Sequence, residues 1–269
     1  MDQSPLLDLQ RHFDNIADAY YEIVDRLWYD VGYYHRREGE LLRQKIGNRL
    51  KLAIDAGCGP GKHTAFLAAS SSRVVAVDIS REMLLETRAR LSPEHRTRVH
   101  LIQADVRRLP LKAQIADCIA NLEVLEHLPG ALSDARTALL EFRRILMPGG
   151  ILVVEAPLRR HTRWRALGVK LPTWKELPAS MLDRYYRKVP LTVEHLYKDE
   201  QIDAILREAG FTRVTKTFVR VVPAGLVERH PRLISIDRIL ERTPGIKRFA
   251  REAVWSAKVS NQLYAAGTK

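Results

Sequence analysis

Two cysteines, Cys58 and Cys118, are all that occur in 269 residues, and neither has a Cys or His neighbour at metal-ligand spacing. That argues against a disulfide framework and against a zinc site. No apolar run approaches the roughly 18 residues a membrane-spanning helix needs. The opening MDQSPLLDLQ is too acidic and too broken for a secretory signal. A cytoplasmic protein is expected, with one large domain and an appendage, because 46% hydrophobic against 28% charged residues is ordinary for a globular chain that buries a full core. No internal repeat is visible. Acidic residues are scarce in one part only. Residues 1–157 hold 21 basic and 21 acidic side chains, residues 158–269 hold 23 and 11, so the whole net charge of +12 falls in the second part. A charge placed this way points to a partner or surface met by that part, such as a nucleic acid or an anionic membrane.

From Lys51 to Pro157, short β-rich apolar runs alternate with helix-like stretches, the pattern of a parallel sheet covered on both faces by helices. The runs LAIDA, RVVAVD, VHLIQAD, ADCIAN and GILVVEA read as strands. Helices are predicted over Lys62–Ala69, Arg81–Leu91 with Ser80 as N-cap, and Ala131–Leu146, the last closed by Pro148, Gly149 and Gly150. Two helices are expected before Leu50. The Pro-punctuated segment 158–198 fits neither period and reads as an insertion. A helix over Asp199–Ala209 ended by Gly210, a strand FTRVTKTFVRVV, a helix near Arg232–Glu241 and a closing edge strand AVWSAKV complete the expected chain.

The stretch IDAGCGPGKH ends the first strand with Asp55, Gly57, Gly59 and Gly61. Glycines at a strand's carboxyl end let a ligand approach the backbone. The spacing departs from the G-x-G-x-x-G of dinucleotide sites, and the loop lacks the arrangement of a P-loop, which leaves a ligand without phosphates. The second strand ends at Asp78, where an acid can accept both hydroxyls of a ribose. The third ends in QADV, where Asp105 can take an adenine amino group while Val106 packs on the ring.

Together these motifs resemble those of class I S-adenosylmethionine-dependent methyltransferases over Lys51–Pro157: IDAGCGPG as the first motif, VDIS the second, QADVRRLP the third, and EFRRILMPGG before the fifth strand. The resemblance implies a Rossmann-like, doubly wound, seven-stranded, mostly parallel sheet, with residues 1–50 as a helical lid, 51–157 as the cofactor-binding core, 158–198 as a cap and 199–269 completing the sheet. It implies S-adenosyl-L-methionine as methyl donor, with Asp55 and the glycines at the methionine part, Asp78 at the ribose and Asp105 at the adenine. Ala56, Cys58, Ile79, Met83, Val106, Asn121 and Leu122 complete the expected cofactor-binding set, with Arg37 at the cofactor carboxylate.

The fourth strand runs into DCIANLEVLEHLP, whose end faces the methyl group in this fold. Glu123 and His127, four apart, would share a face of a helical turn. With Glu126 they could take a proton from an acceptor oxygen. The same trio could instead hold a divalent cation, a reading the sequence does not favour. The pattern E-x-x-E-H looks like that of quinone-biosynthesis O-methyltransferases, and FDNIADAYYEI is similar to the segment preceding the core in ubiquinone and menaquinone methyltransferases. By that likeness Tyr20 closes over the cofactor. His195 resembles a histidine that small-molecule members carry just before the following helix. Asn121 is followed by Leu-Glu-Val rather than Pro-Pro-aromatic, so methyl transfer to DNA bases loses support.

Residues 158–190 interleave Trp164, Trp174, Tyr185 and Tyr186 with many arginines, a composition suited to an anionic lipid interface and to a lipid-like acceptor drawn from it. The expected function is methyl transfer to an oxygen or activated carbon of a small molecule, quinone-like or lipid. An RNA methyltransferase using the basic part and a non-catalytic cofactor-binding protein are the rivals. Oligomeric state is left open.

Overall fold

The computed structural model describes residues 4–20, 33–47, 50–158, 195–219, 232–243 and 252–260. Most of the basic aromatic insertion, with all four of the aromatic residues named above, lies outside them. In chain order the elements are α1 (Ser4–Tyr20), α2 (Tyr33–Ile46), β1 (Leu50–Ala56), α3 (Thr64–Ser70), β2 (Ser71–Asp78), α4 (Arg81–Arg90), the short α5 (Pro93–Arg96), β3 (Val99–Gln103), β4 (Ala116–Asn121), a 3-10 turn (Leu125–His127), α6 (Ala131–Ile145), β5 (Leu146–Pro157), α7 (Asp199–Glu208), β6 (Phe211–Val219), α8 (Leu233–Arg242) and β7 (Glu252–Val259).

All seven strands join one sheet in the order β3-β2-β1-β4-β5-β7-β6. The first five run parallel, and β7 lies antiparallel between β5 and β6. Strand order reverses at β1 and β4, so their carboxyl ends open a crevice of the kind in which α/β sheets bind ligands.

The central runs are nearly continuous in apolar residues because both faces are covered. Ile54, Val75, Val77, Ile119, Leu152 and Val154 point to one layer, where they pack with Leu139, Phe142 and Ile145 of α6 and Ile202 and Leu206 of α7. The alternate residues Ala53, Val74, Ala76, Cys118, Ala120 and Val153 point to the other, against Leu41 and Leu42 of α2, Leu67 of α3 and Leu84 of α4. Both cysteines are free thiols in this core.

Three expectations are corrected. β7 is not an edge strand: Trp255 is fully buried, and β7 pairs along its length on both sides. The edge is β6, which pairs only with β7 and whose Thr212, Arg213 and Thr215 are exposed. Helix α6 ends at Ile145, where the Leu146 N–H still reaches Phe142, and β5 begins at once, so Pro148, Gly149 and Gly150 belong to an irregular strand entry rather than a helix stop. Helix α3 starts at Thr64, not Lys62. Thr64 Oγ1 donates to Asp55 at 2.6 Å, which fixes the helix start behind the glycine loop and leaves Lys62 and His63 in the turn. Ser80 caps α4 as expected, accepting from Met83 N. No described helix is long and apolar enough to cross a membrane.

Candidate active site

The glycine loop leaves β1 folded back onto the end of β2. The N–H groups of Gly57 and Cys58 both donate to Val77 O at 2.8 Å. Gly57 takes φ +84°, and a Cβ there would stand 2.3 Å from Val124 Cγ2, so the loop and the β4 end pack as closely as they do only with glycine. Gly59, at φ +50°, is different: a Cβ there would meet nothing within 4 Å, because that side of the loop faces open space.

That space is a cleft of about 890 Å³, its open mouth included. The ends of four strands supply its floor and back wall: Gly57, Cys58 and Gly59 after β1, Asp78 and Ile79 after β2, Asp105 and Val106 after β3, Leu122, Glu123 and His127 after β4. Met83 of α4 adds to the wall, and Phe13 and Tyr20 close the cleft from α1.

Asp78 is engaged at both oxygens. Oδ2 accepts the Gly59 N–H at 2.8 Å and Oδ1 the Ser80 N–H at 2.9 Å. Burial raises its pKa to about 6 against the lowering effect of those N–H groups. Each oxygen keeps a second lone pair, so a diol at this strand end still finds acceptors. Asp105 is clamped by Arg107, whose Nε reaches Oδ2 at 2.9 Å and Nη2 the same oxygen at 2.8 Å. Arg107 also pairs with Asp134, so the acid after β3 is fixed in place before any ligand arrives.

On the acceptor side Glu123 stands at φ +57°, a left-handed conformation uncommon for a side chain of its kind and one that recurs at functional sites. His127, on the 3-10 turn, keeps some exposure to the cleft but is enclosed by protein, and that enclosure lowers its pKa to about 4 although Glu123 acts the other way. Its Nδ1 is buried with no hydrogen-bond partner among the described residues. Phe13 of α1 meets the imidazole edge-on, with ring centroids 5.2 Å apart.

Several expected site residues lie elsewhere. Asp55 is beneath the loop, buried and bonded to Thr64, with its pKa raised to about 7 by that burial. Ala56 is wholly in the core, Gly61 packs against Thr87, and Asn121 spends its amide on Ala56 O at 2.7 Å. None of the four lines the cleft. Arg37 does not reach it either. Its Nε and Nη2 donate to Glu241 Oε2 at 3.0 and 2.7 Å, tying α2 to α8. Glu126 is buried and does not line the cleft; burial raises the pKa of Tyr197 and the Glu126 charge adds to it, while the Glu126 backbone carbonyl accepts the His195 N–H at 2.9 Å. His195 is therefore held beside the turn and its charge would be felt at His127, but it does not line the cleft.

The trio Glu123, Glu126 and His127 thus does not assemble as a metal site. A different set does come together: Glu38 of α2, His63 and Glu123, whose ligand atoms lie within 4.8 Å of one another. Lys62 Nζ is set among them, 2.9 Å from Glu38 and 3.0 Å from Glu123, and its ammonium supplies the positive charge there. Lys62, His63 and Glu38 escaped the sequence reading. So did the apolar wall of Leu6, Leu9, Val124 and Leu128. Leu6, Leu9 and Phe13 recur at helical spacing along α1, and that stripe was the available signal.

Residues 54–154 match a family described as a methyltransferase domain. The chain is similar to a protein named as a probable S-adenosylmethionine-dependent methyltransferase of Mycobacterium tuberculosis, 30% identical over 132 residues that cover 48% of this chain and 45% of that one. It is likewise similar to the malonyl-[acyl-carrier protein] O-methyltransferase of Salmonella typhimurium, 33% identical over 113 residues, 42% of this chain and 41% of that one. The chain matches a methyltransferase domain over residues 54–154 and has the fold of class I methyltransferases. It spans less than half the length of these two relatives. Among solved structures, the magnesium protoporphyrin IX methyltransferase of Synechocystis with bound S-adenosylhomocysteine shares the methyltransferase fold at a TM-score of 0.60 and 18% identity, over 96% of this chain and 100% of that one. The sheet order, with its antiparallel seventh strand, and the cleft over β1 and β4 are the frame of that fold.

Proposed function

We propose that this methyltransferase domain binds S-adenosylmethionine in the cleft and methylates an oxygen or activated carbon of an apolar small molecule. The observation that carries the reading is the division of one cleft into two ends. One end has a glycine loop that faces open space at Gly59 and two fixed carboxylates, Asp78 and Asp105. The other has a neutral imidazole, a paired carboxylate and an apolar wall.

The residues present fit the cofactor. Gly59 leaves room where a side chain would intrude, Asp78 offers free lone pairs to the ribose hydroxyls, and Asp105 beside Val106 and Ala104 offers an acceptor next to apolar surface for the adenine. When bound, S-adenosylmethionine supplies an electrophilic methyl group on a sulfonium. The chain's part is to hold donor and acceptor in line, and positioning of that kind supplies most of the catalysis. His127, neutral at physiological pH, takes the proton of an acceptor hydroxyl or enol. Phe13, Leu9 and Tyr20 cover the cleft and exclude water.

The acceptor is read from the cleft and not from the relatives. Those named above act on a malonyl-acyl carrier protein and a magnesium porphyrin, which share no shape. Among the described lining residues Lys62 is the one permanent cation, and two carboxylates hold it. Leu6, Leu9, Phe13, Val124 and Leu128 make the remaining surface apolar. An uncharged, quinol-like or lipid-tailed acceptor suits such a wall better than a carboxylate.

The test is transfer of radiolabelled methyl from S-adenosylmethionine into fractions of an extract of the source cell. Label is expected in the organic phase, in a product whose methyl survives mild base, as an ether or C-methyl group does and a methyl ester does not. Label only in RNA would overturn the acceptor reading, and tight S-adenosylhomocysteine binding without transfer to any fraction would overturn the enzymatic one.

A further inference from the structure

Helix α1 meets the rest of the described molecule chiefly along α4. Ile16 and Ala17 bury against Met83, with Phe13 and Tyr20 packed on the same patch. One polar residue, Asp14, adds two hydrogen bonds to this seam. Asp14 Oδ1 accepts the Ser80 hydroxyl at 2.6 Å and the Glu82 N–H at 3.3 Å.

Ser80 is fully buried and bonded on three sides. Its Oγ accepts the Met83 N–H at 3.1 Å, which caps α4. Its own N–H donates to Asp78 Oδ1 at 2.9 Å. Its hydroxyl proton goes to Asp14. A continuous path therefore runs from the lid helix through Asp14 and Ser80 to Asp78, and on through Oδ2 to the N–H of Gly59.

We propose that Asp14 is a positioning residue for the cofactor site, acting through Ser80 to fix the carboxylate of Asp78, and that a ribose held at Asp78 in turn strengthens the docking of α1. The inference rests on the cofactor reading above. Its physics has two parts. With Asp14 as acceptor, the Ser80 hydroxyl is oriented with a lone pair on Met83 N–H, and the cap holds the Ser80 N–H on Asp78. Without Asp14 the hydroxyl loses this acceptor, and cap and carboxylate loosen together. Second, Asp14 and Asp78 flank Ser80 with like charge, and Asp14 is among the causes of the raised pKa at Asp78. Ribose hydroxyls donating to Asp78 spread its charge and relieve that repulsion, so ligand and docked lid favour each other reciprocally.

Hydrogen exchange of residues 4–20 tests this on the full chain, with binding followed by calorimetry and folding checked by thermal melts. Saturating S-adenosylhomocysteine is expected to slow exchange of α1 by about tenfold in the wild type, a coupling of ordinary size. 5′-Methylthioadenosine, which has the ribose but no amino acid, should do the same, and methionine should not. Asp14→Ala should lose the ligand-dependent protection and bind S-adenosylhomocysteine several-fold more weakly. Asp14→Asn keeps an acceptor oxygen for Ser80 and should restore the binding, with the part of the ligand-dependent protection that the hydrogen bond carries but not the part that the like charges carry. Equal protection in Asp14→Ala and the wild type overturns the proposal, as does bound ligand that leaves α1 unprotected in the wild type. Failure of the wild type to bind S-adenosylhomocysteine at all would instead overturn the cofactor reading on which it rests.

Discussion

At Asp78 the fold keeps a carboxyl whose pKa burial has raised to about 6, while ribose hydroxyls donate best to its ionised form. Cofactor affinity should therefore fall as pH drops through about 6, and calorimetric titration with S-adenosylhomocysteine from pH 8 to pH 5 reads this directly. Folding has the opposite dependence. The folded state holds the protons of Asp78 and Asp55 more tightly than the unfolded chain, whose carboxyls titrate near 3.8. Their contribution to stability is thus present at low pH and is lost as pH rises from about 4 to about 7. Urea unfolding at several pH values should show that decline, and Asp55→Asn, which retains an acceptor for Thr64, should flatten it. At His127 the lowered pKa keeps the imidazole neutral above about pH 5. Replacing it by Ala should lower kcat by about 10²–10⁴-fold, the usual worth of a proton acceptor. The Kd for S-adenosylhomocysteine should stay within twofold, and a parallel loss of binding would mean that His127 only braces its turn.

At the scale of elements, strand ends were legible from the sequence because each apolar run stops at a polar residue that the crevice needs. Asp78 ends β2, Asp105 follows β3 and Glu123 follows β4, and all three line the cleft. Side chains set by docking between distant elements were not legible. Arg37 pairs with Glu241, more than two hundred residues away, and Glu38 meets Lys62 only because α2 packs over the glycine loop. Periodicity likewise made AVWSAKV a strand but did not say that β6 would lie outside it. The two outermost glycines of the loop predict different failures. Gly57→Ala drives a Cβ into Val124 at positive φ, so it should lower Tm and weaken the cofactor together. Gly61→Ala meets Thr87 at 3.0 Å, also at positive φ, and should lower Tm without a direct contact in the cleft. In α6, Phe142 is wholly buried against the sheet, and Phe142→Ala should cost about 3–5 kcal/mol in denaturant unfolding.

At the scale of the whole molecule the charge is unevenly placed. The surplus of basic residues belongs to the part after Pro157, and the aromatic residues interleaved with it lie outside the described residues. The apolar wall of the cleft gives that surplus a role if the acceptor is drawn from an anionic lipid surface. Co-sedimentation with phosphatidylglycerol vesicles should then be salt-sensitive and should drop when Trp164 and Trp174 are both replaced by Ala. Equal sedimentation of the double variant would leave the basic part as a solvated surface.

The cleft over β1 and β4 is proposed as an S-adenosylmethionine site built on Asp78. Calorimetric titration of S-adenosylhomocysteine at pH 8 into the wild type and Asp78→Ala tests it most directly. The wild type should bind at one site per chain, and Asp78→Ala should bind at least tenfold more weakly, about 1.4 kcal/mol. Equal affinity in the two proteins would contradict the site, and no binding by either would contradict the cofactor.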